Sequence, residues 1–192
     1  MRIEESILES IKTKQLLLED KQLINTIQEI AEQCISTFKN DGKVLLCGNG
    51  GSASDAQHIA AELSGRFNYD REPLFAEALH VNSSYVTAVA NDYSYDVIYS
   101  RMIKAAGRTG DICIGISTSG NSKNVVNALL EAKNQGMITV AFTGSKTGKV
   151  DQIADYCVKV PSSNTARIQE AHILIGHVIC EEIETSLFPK IP

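Results

Sequence analysis

The chain has 192 residues, 43% of them hydrophobic, with 18 Lys and Arg against 23 Asp and Glu and a formal net charge of −5. That length sets an expectation of a single domain, 1–192, with ample core, and the acidic balance without a basic block argues against a nucleic-acid surface. No apolar run approaches the ~18 residues of a membrane span, and the opening Met1-Arg-Ile-Glu-Glu-Ser6 is acidic and unlike a signal peptide. A soluble cytoplasmic protein is expected, with no nucleic-acid or membrane partner. Cys34, Cys47, Cys113, Cys157 and Cys180 are widely spaced, without a C-x-x-C, which reads as free thiols, mostly buried.

In chain order, Ile3, Ile7, Leu8, Ile11 and Leu18 fall at helical spacing over 2–18. A second helix carries Ile24, Ile27, Ala31, Cys34, Ile35 and Phe38 on one face and ends at Asn40-Asp41-Gly42. Two amphipathic helices exceed what one small α/β layer needs, so residues 1–40 are expected to be an extension that meets a second subunit. The α/β core is expected over 43–187. Val44 to Cys47 reads as a buried strand that stops at Gly48. Gly48, Gly50 and Gly51 let backbone approach a ligand, Ser52 and Ser54 are candidate N-caps, and Asp55 a first-turn acid for a helix running to Ser64-Gly65. Strand, glycine turn and helix N-terminus together make an anion cradle. It is neither a P-loop nor a G-x-G-x-x-G turn.

Leu74 to Val81 reads as the next strand, Ser84 to Ala90 as a short helix ending at Asn91-Asp92, and Tyr95 to Ala106 as another, closed by Gly107. The opening pattern then returns. Asp111 to Ile116 is a strand, Ser117-Thr-Ser-Gly-Asn-Ser122 a hydroxyl-rich turn, and Lys123 to Gln135 a helix halted by Gly136. Ile138–Phe142 and Tyr156–Val160 are further strands, and a long helix runs from about Thr165 to Leu187. Strands alternating with helices predict a mostly parallel, three-layer sheet, with ligands at the strands' carboxyl ends near a switch point.

Three observations carry chemistry. His58 and Glu62, four residues apart, share a helical face. Ser117, Thr118, Ser119 and Ser122 bring four hydroxyls to a helix start, able to cradle a phosphate without a basic side chain. On the last helix Gln169 and His177 are eight residues apart, about 80° round the axis, whereas His172 points elsewhere. A lone helical histidine is more often a core or surface residue; His177 becomes functional if His58 and Glu62 are its partners.

Taken together, C-G-N-G-G-S-A-S-D-A-Q-H-I-A-A-E-L-S-G-R, A-N-D, G-I-S-T-S-G-N-S and A-R-I-Q-E-A-H-I-L-I-G-H resemble the sugar-isomerase (SIS) domain proteins, in particular the phosphoheptose isomerase branch. The resemblance covers nearly the whole chain. It implies a flavodoxin-like parallel sheet with helices on both faces, and a homotetramer with sites shared between subunits. The implied reaction converts sedoheptulose 7-phosphate to D-glycero-D-manno-heptose 7-phosphate, the first step towards nucleotide-activated heptose for lipopolysaccharide, capsule or another glycan. By the same resemblance Ser117, Thr118, Ser119 and Ser122 hold the phosphate, while Asn49, Gly50, Gly51, Ser52, Asn91 and Asp92 contact the sugar. His58, Glu62, Gln169 and His177 form the zinc set, one ion per subunit. The glycine turn then serves the sugar hydroxyls rather than the phosphate. Ala166 departs from members with an acidic residue there, and T-A-R-I-Q-E and Leu187-Phe-Pro are similar to a sister branch of non-catalytic replication-initiation regulators.

The chemistry suits the residues independently. Ketose–aldose interconversion moves one proton between C1 and C2 and another between the two oxygens. Glu62 is the candidate for the carbon proton and His177 for the oxygen proton or the opposite face of the same transfer. The rival readings are a non-catalytic regulator, whose branch lacks the glutamate at position 62, and a sugar-phosphate sensor, which needs the serine turn but not the His58, Glu62 and His177 set.

Overall fold

The computed structural model describes residues 2–190. Two helices, α1 (Arg2–Glu19) and α2 (Lys21–Lys39), precede the sheet. Asp20 separates them, its carboxylate capping α2 by accepting from Leu23 N at 2.9 Å. Asp41, at φ 57°, turns the chain out of α2 towards the first strand. β1 (Val44–Gly48), α3 (Gly51–Ser64), β2 (Ala76–Ala78) and α4 (Ser83–Asp92) follow. A one-turn 3-10 segment, Tyr95–Val97, leads into α5 (Ile98–Ala106), β3 (Ile112–Ile116), α6 (Lys123–Asn134) and β4 (Ile138–Thr143). A second 3-10 turn (Lys149–Gln152), β5 (Tyr156–Lys159) and α7 (Thr165–Leu187) complete the described chain.

The five strands are all parallel, in the order β2-β1-β3-β4-β5. Side chains alternate faces along each strand, and both faces are covered, so the strands read as unbroken apolar runs. Val44, Leu46, Ile112, Ile114, Ile116, Val140 and Phe142 join a core with residues of α2, α3 and α7. Leu45, Cys47, Cys113 and Ala141 join the opposite core, with residues of α4, α5 and α6. The strand expected over 74–81 is shorter. Leu79 N still donates to Leu46 O, but Val81 N folds back to Ala78 O and ends the edge ladder.

The strand order reverses at β1, flanked by β2 and β3, which is where a doubly wound sheet opens a crevice. Gly48 lies level with Ile116 across this junction. The glycine turn and the serine turn therefore leave the sheet side by side. All five cysteines are free, four of them buried, and no helix of the described residues is long and apolar enough to cross a membrane.

Candidate active site

At the end of β1 the chain makes a tight corner. Gly50 takes φ 56°, and it, rather than a serine, is the residue before α3, with no side-chain cap bond. Ser52 and Ser54 thus lie inside the helix, and Asp55 falls beyond its first turn, correcting the capping pattern read from sequence. Glycine brings the backbone round where a serine cap would need an extended residue, and the leading amides of α3 bond to the carbonyls of Asn49 and Gly50 rather than to a side chain. Ser52 is buried, with its amide on Asn49 O at 3.1 Å. Asn49 exchanges two amide hydrogen bonds with the buried Asn124 of α6, at 2.9 and 2.8 Å, and accepts from Tyr95 Oη at 3.2 Å. The Tyr99 hydroxyl donates to Gly48 O. These contacts tie the glycine turn to the helix that follows the serine turn.

The serine turn is drawn together by its own hydroxyls. Ser117 Oγ donates to Ser122 Oγ at 3.0 Å and lies 3.5 Å from Ser119 Oγ. Gly120, at φ 66°, allows the reversal, and Gly120 N closes it on Ser117 O at 2.9 Å. Ser122 precedes α6 but makes no side-chain cap bond. The leading amides of α6 are thus left without a cap from Ser122, next to a cluster of hydroxyls, groups of the kind that receive an anion. Asn91 and Asp92 end α4, joined by an Asn91 Nδ2 to Asp92 Oδ1 bond of 2.9 Å.

Helices α3 and α7 lie side by side and run the same way. A side chain on Gly51 would strike the Gln169 amide at 2.5 Å, and one on Gly176 would strike Ile59 at 2.5 Å. This close approach brings three donors together. His58 Nε2 lies 3.0 Å from Glu62 Oε1 and 3.3 Å from His177 Nε2, and one ligand atom from each of the three falls within 4.8 Å of the others. The residues fit a divalent ion. Two nitrogens held 2.0–2.1 Å from a tetrahedral zinc are about 3.3 Å apart, and imidazole with carboxylate is a zinc donor set. Gln169 lies at the head of α3, its amide against Gly51. His172 is separate: fully buried, its Nε2 is 3.2 Å from Thr143 O, and burial lowers its pKa to about 4. One turn before His58, burial raises the Asp55 carboxyl to about 6 against the opposing pull of His58.

The far end of the cluster rests on a pair the sequence reading missed. Glu184 of α7 accepts from Phe67 N at 3.0 Å, Asn68 N at 2.7 Å and Arg71 Nε at 3.3 Å. Arg71 in turn donates to the carbonyls of Glu62 and Leu63, each at 2.7 Å, and Gly65 at 3.1 Å, closing the C-terminus of α3 with a cation. Both side chains are all but excluded from solvent, at 2% and 1% exposure. The loop so held places the Phe67 ring 5.6 Å from that of His177. Glu184 sits seven positions after His177 on the buried stripe with Cys180 and Ile183. An acid on such a stripe demands a cation, and that signal was present in the sequence.

A five-stranded parallel sheet with paired polar turns at its switch point is a frame that binds ligands at its strand ends, and the comparisons give the family. The SIS domain family model matches residues 10–144, and the chain belongs to that family, in its phosphoheptose isomerase branch. It is 50% identical over 186 residues to the phosphoheptose isomerase of Sulfurimonas denitrificans, covering 97% of this chain and 95% of that protein. The structure of phosphoheptose isomerase from Neisseria gonorrhoeae superposes with a TM-score of 0.90 at 42% identity, over 96% of this chain and 97% of the other. That of a phosphoheptose isomerase from Francisella tularensis gives 0.92 at 36% identity, with coverage of 96% and 97%.

Proposed function

We propose that this chain is an aldose–ketose isomerase that converts sedoheptulose 7-phosphate to D-glycero-D-manno-heptose 7-phosphate, feeding nucleotide-heptose synthesis. The observation that carries this reading is the convergence of Glu62 with His58 and His177, on the helix that follows the glycine turn and on α7, in a chain 50% identical to a phosphoheptose isomerase. A sugar-phosphate sensor or a non-catalytic regulator has no use for that cluster. Purified protein given sedoheptulose 7-phosphate should yield the aldose, followed by NMR; no turnover would refute the assignment.

Ser117, Thr118, Ser119 and Ser122, with the leading amides of α6, receive the phosphate. Asn49, Gly50, Gly51, the buried Ser52, Asn91, Asp92 and Gln169 form the sugar side. Glu62 moves the proton between C1 and C2, and His177 serves the oxygens or the opposite face. Zinc, one per subunit, held by His58, Glu62 and His177 with Gln169 as the fourth ligand, would polarise the carbonyl and stabilise the developing enediolate charge. His58→Ala or His177→Ala should abolish metal uptake and turnover together, while His172→Ala keeps the ion. Gently purified protein without a stoichiometric divalent ion, together with a rate indifferent to chelators, would leave Glu62 and His177 as a metal-free acid/base pair.

We also propose a homotetramer in which residues 1–40 are the assembling extension. Ile3 is 75% exposed, Leu8 63% and Leu18 65%. An apolar groove of about 370 Å³ runs between α1, α2 and α7, lined by Leu17, Leu18, Ile24, Ile27, Leu174 and Val178 among others. Such a surface on one chain fits a second copy. Deleting residues 1–20 should lower the oligomeric state or cause aggregation; a soluble truncation with the full-length protein's subunit number by light scattering would contradict this. The free cysteines fit a reducing compartment, and a cytoplasmic location is proposed on that ground.

A further inference from the structure

We propose that Lys146, at the tip of the loop after β4, closes over the phosphate of the bound sugar and sets affinity for the phosphorylated end. The inference rests on the assignment of the serine turn to the phosphate and adds to it a residue from a different loop. Both roots of that loop are pinned to the serine turn. Gly144 N donates to Thr118 O at 3.2 Å, Lys149 N to Asn121 Oδ1 at 3.1 Å and Val150 N to Gly120 O at 3.1 Å. Gly148 lies so close that a side chain there would come within 2.6 Å of Gly120 Cα and its carbonyl oxygen. Between these fixed roots Ser145, Lys146 and Thr147 are exposed. Ser145 N is also held, donating to Ser162 O at 2.9 Å, so the loop is a short arch with a rigid base and Lys146 and Thr147 at its exposed tip.

Beside Ser145 and Lys146 lies an open cavity of about 190 Å³, lined by Thr118, Ser119, Ser162, Ser163 and Thr165 together with the apolar Ile168. Lys146 is the one charged side chain on its lining. Two further cations flank the serine turn: Lys123, 3.5 Å from Asp96, and Lys149, whose amide is bonded to Asn121; neither is on the cavity lining. Lys146 lies in no ion pair among the described residues. In a chain of net charge −5, neutral hydroxyls and helix amides must bind a dianion against the overall field. A cation on a long flexible stem at the rim answers that need without filling the cavity. The phosphate is remote from the carbons that exchange a proton, so its contacts are the same in ground state and transition state. Losing one should raise KM and leave kcat alone.

The test compares Lys146→Ala, Lys146→Glu and Ser122→Ala with wild type on sedoheptulose 7-phosphate, with Lys39→Ala on α2 as a remote charge control. Lys146→Ala should raise KM roughly three- to tenfold, the range between an exposed ion pair and a charged hydrogen bond. Charge reversal should raise it further, and kcat should stay within about twofold in both. The salt dependence of KM should flatten in Lys146→Ala, while Lys39→Ala should match wild type. If both Lys146 variants keep a wild-type KM while Ser122→Ala raises it, the role of Lys146 is refuted and the phosphate turn stands. If Ser122→Ala also leaves KM unchanged, the assignment of the turn fails, and the Lys146 proposal with it.

Discussion

Glu62→Gln should lower kcat by a factor of about 10² to 10⁴, the usual contribution of a positioned general base. The change keeps the size of the side chain and one hydrogen-bonding oxygen while removing its basicity. Glu62 is half-buried on α3, 3.0 Å from His58, in a helix whose packing depends on Ala56, Ile59, Ala60 and Leu63 rather than on the carboxylate. Fold and subunit number should therefore survive, as circular dichroism and light scattering would report. Retention of more than about a tenth of the wild-type rate, a barrier change below ~1.4 kcal/mol, would remove Glu62 from the chemistry.

The second large effect is on stability. Glu184→Ala leaves the Arg71 guanidinium buried without its carboxylate and strands the amides of Phe67 and Asn68. Breaking one side of a buried pair costs about 3–5 kcal/mol, which for a chain of this length lowers Tm by roughly 10 °C. Activity should fall as well, because the segment that sets Phe67 against His177 loses its anchor. Replacing both partners by apolar residues, Arg71→Met with Glu184→Leu, should recover part of the loss, since no lone charge then remains. A single Glu184→Ala variant melting within about 2 °C of wild type, less than the ~1 kcal/mol expected of an ordinary substitution, would contradict this account of the pair.

The sheet was legible because its strands are buried on both faces and its helices alternate with them. Val44–Cys47, Ile112–Ile116 and Thr165–Leu187 were readable to within a residue or two. The edge was not. Leu74 to Val81 is apolar enough for a full strand, but tertiary packing pairs only Ala76–Ala78, and nothing local announces the turn at Val81. Capping at α3 was misread for a physical reason: Ser52 and Ser54 have the right chemistry, yet Gly50 supplies the corner by conformation alone. Within the site, His58 and Glu62 were readable from their i, i+4 spacing, and His177 only through their company. The partners that hold the turns in place, Asn124 on Asn49 and Arg71 on Glu184, lie 75 and 113 residues apart in sequence. Long-range pairs of that kind leave no periodic trace. Their one visible mark is a polar residue on an otherwise apolar helical stripe.

The central claim is enediolate proton transfer on a seven-carbon sugar phosphate, and its most direct test is turnover in deuterium oxide. Wild-type protein incubated with sedoheptulose 7-phosphate should form the aldose heptose 7-phosphate, with deuterium entering at C2 of the product. The Glu62→Gln variant should form neither product nor label in the same time. Unchanged substrate with the wild-type protein, or an aldose made equally fast by Glu62→Gln, would contradict the account.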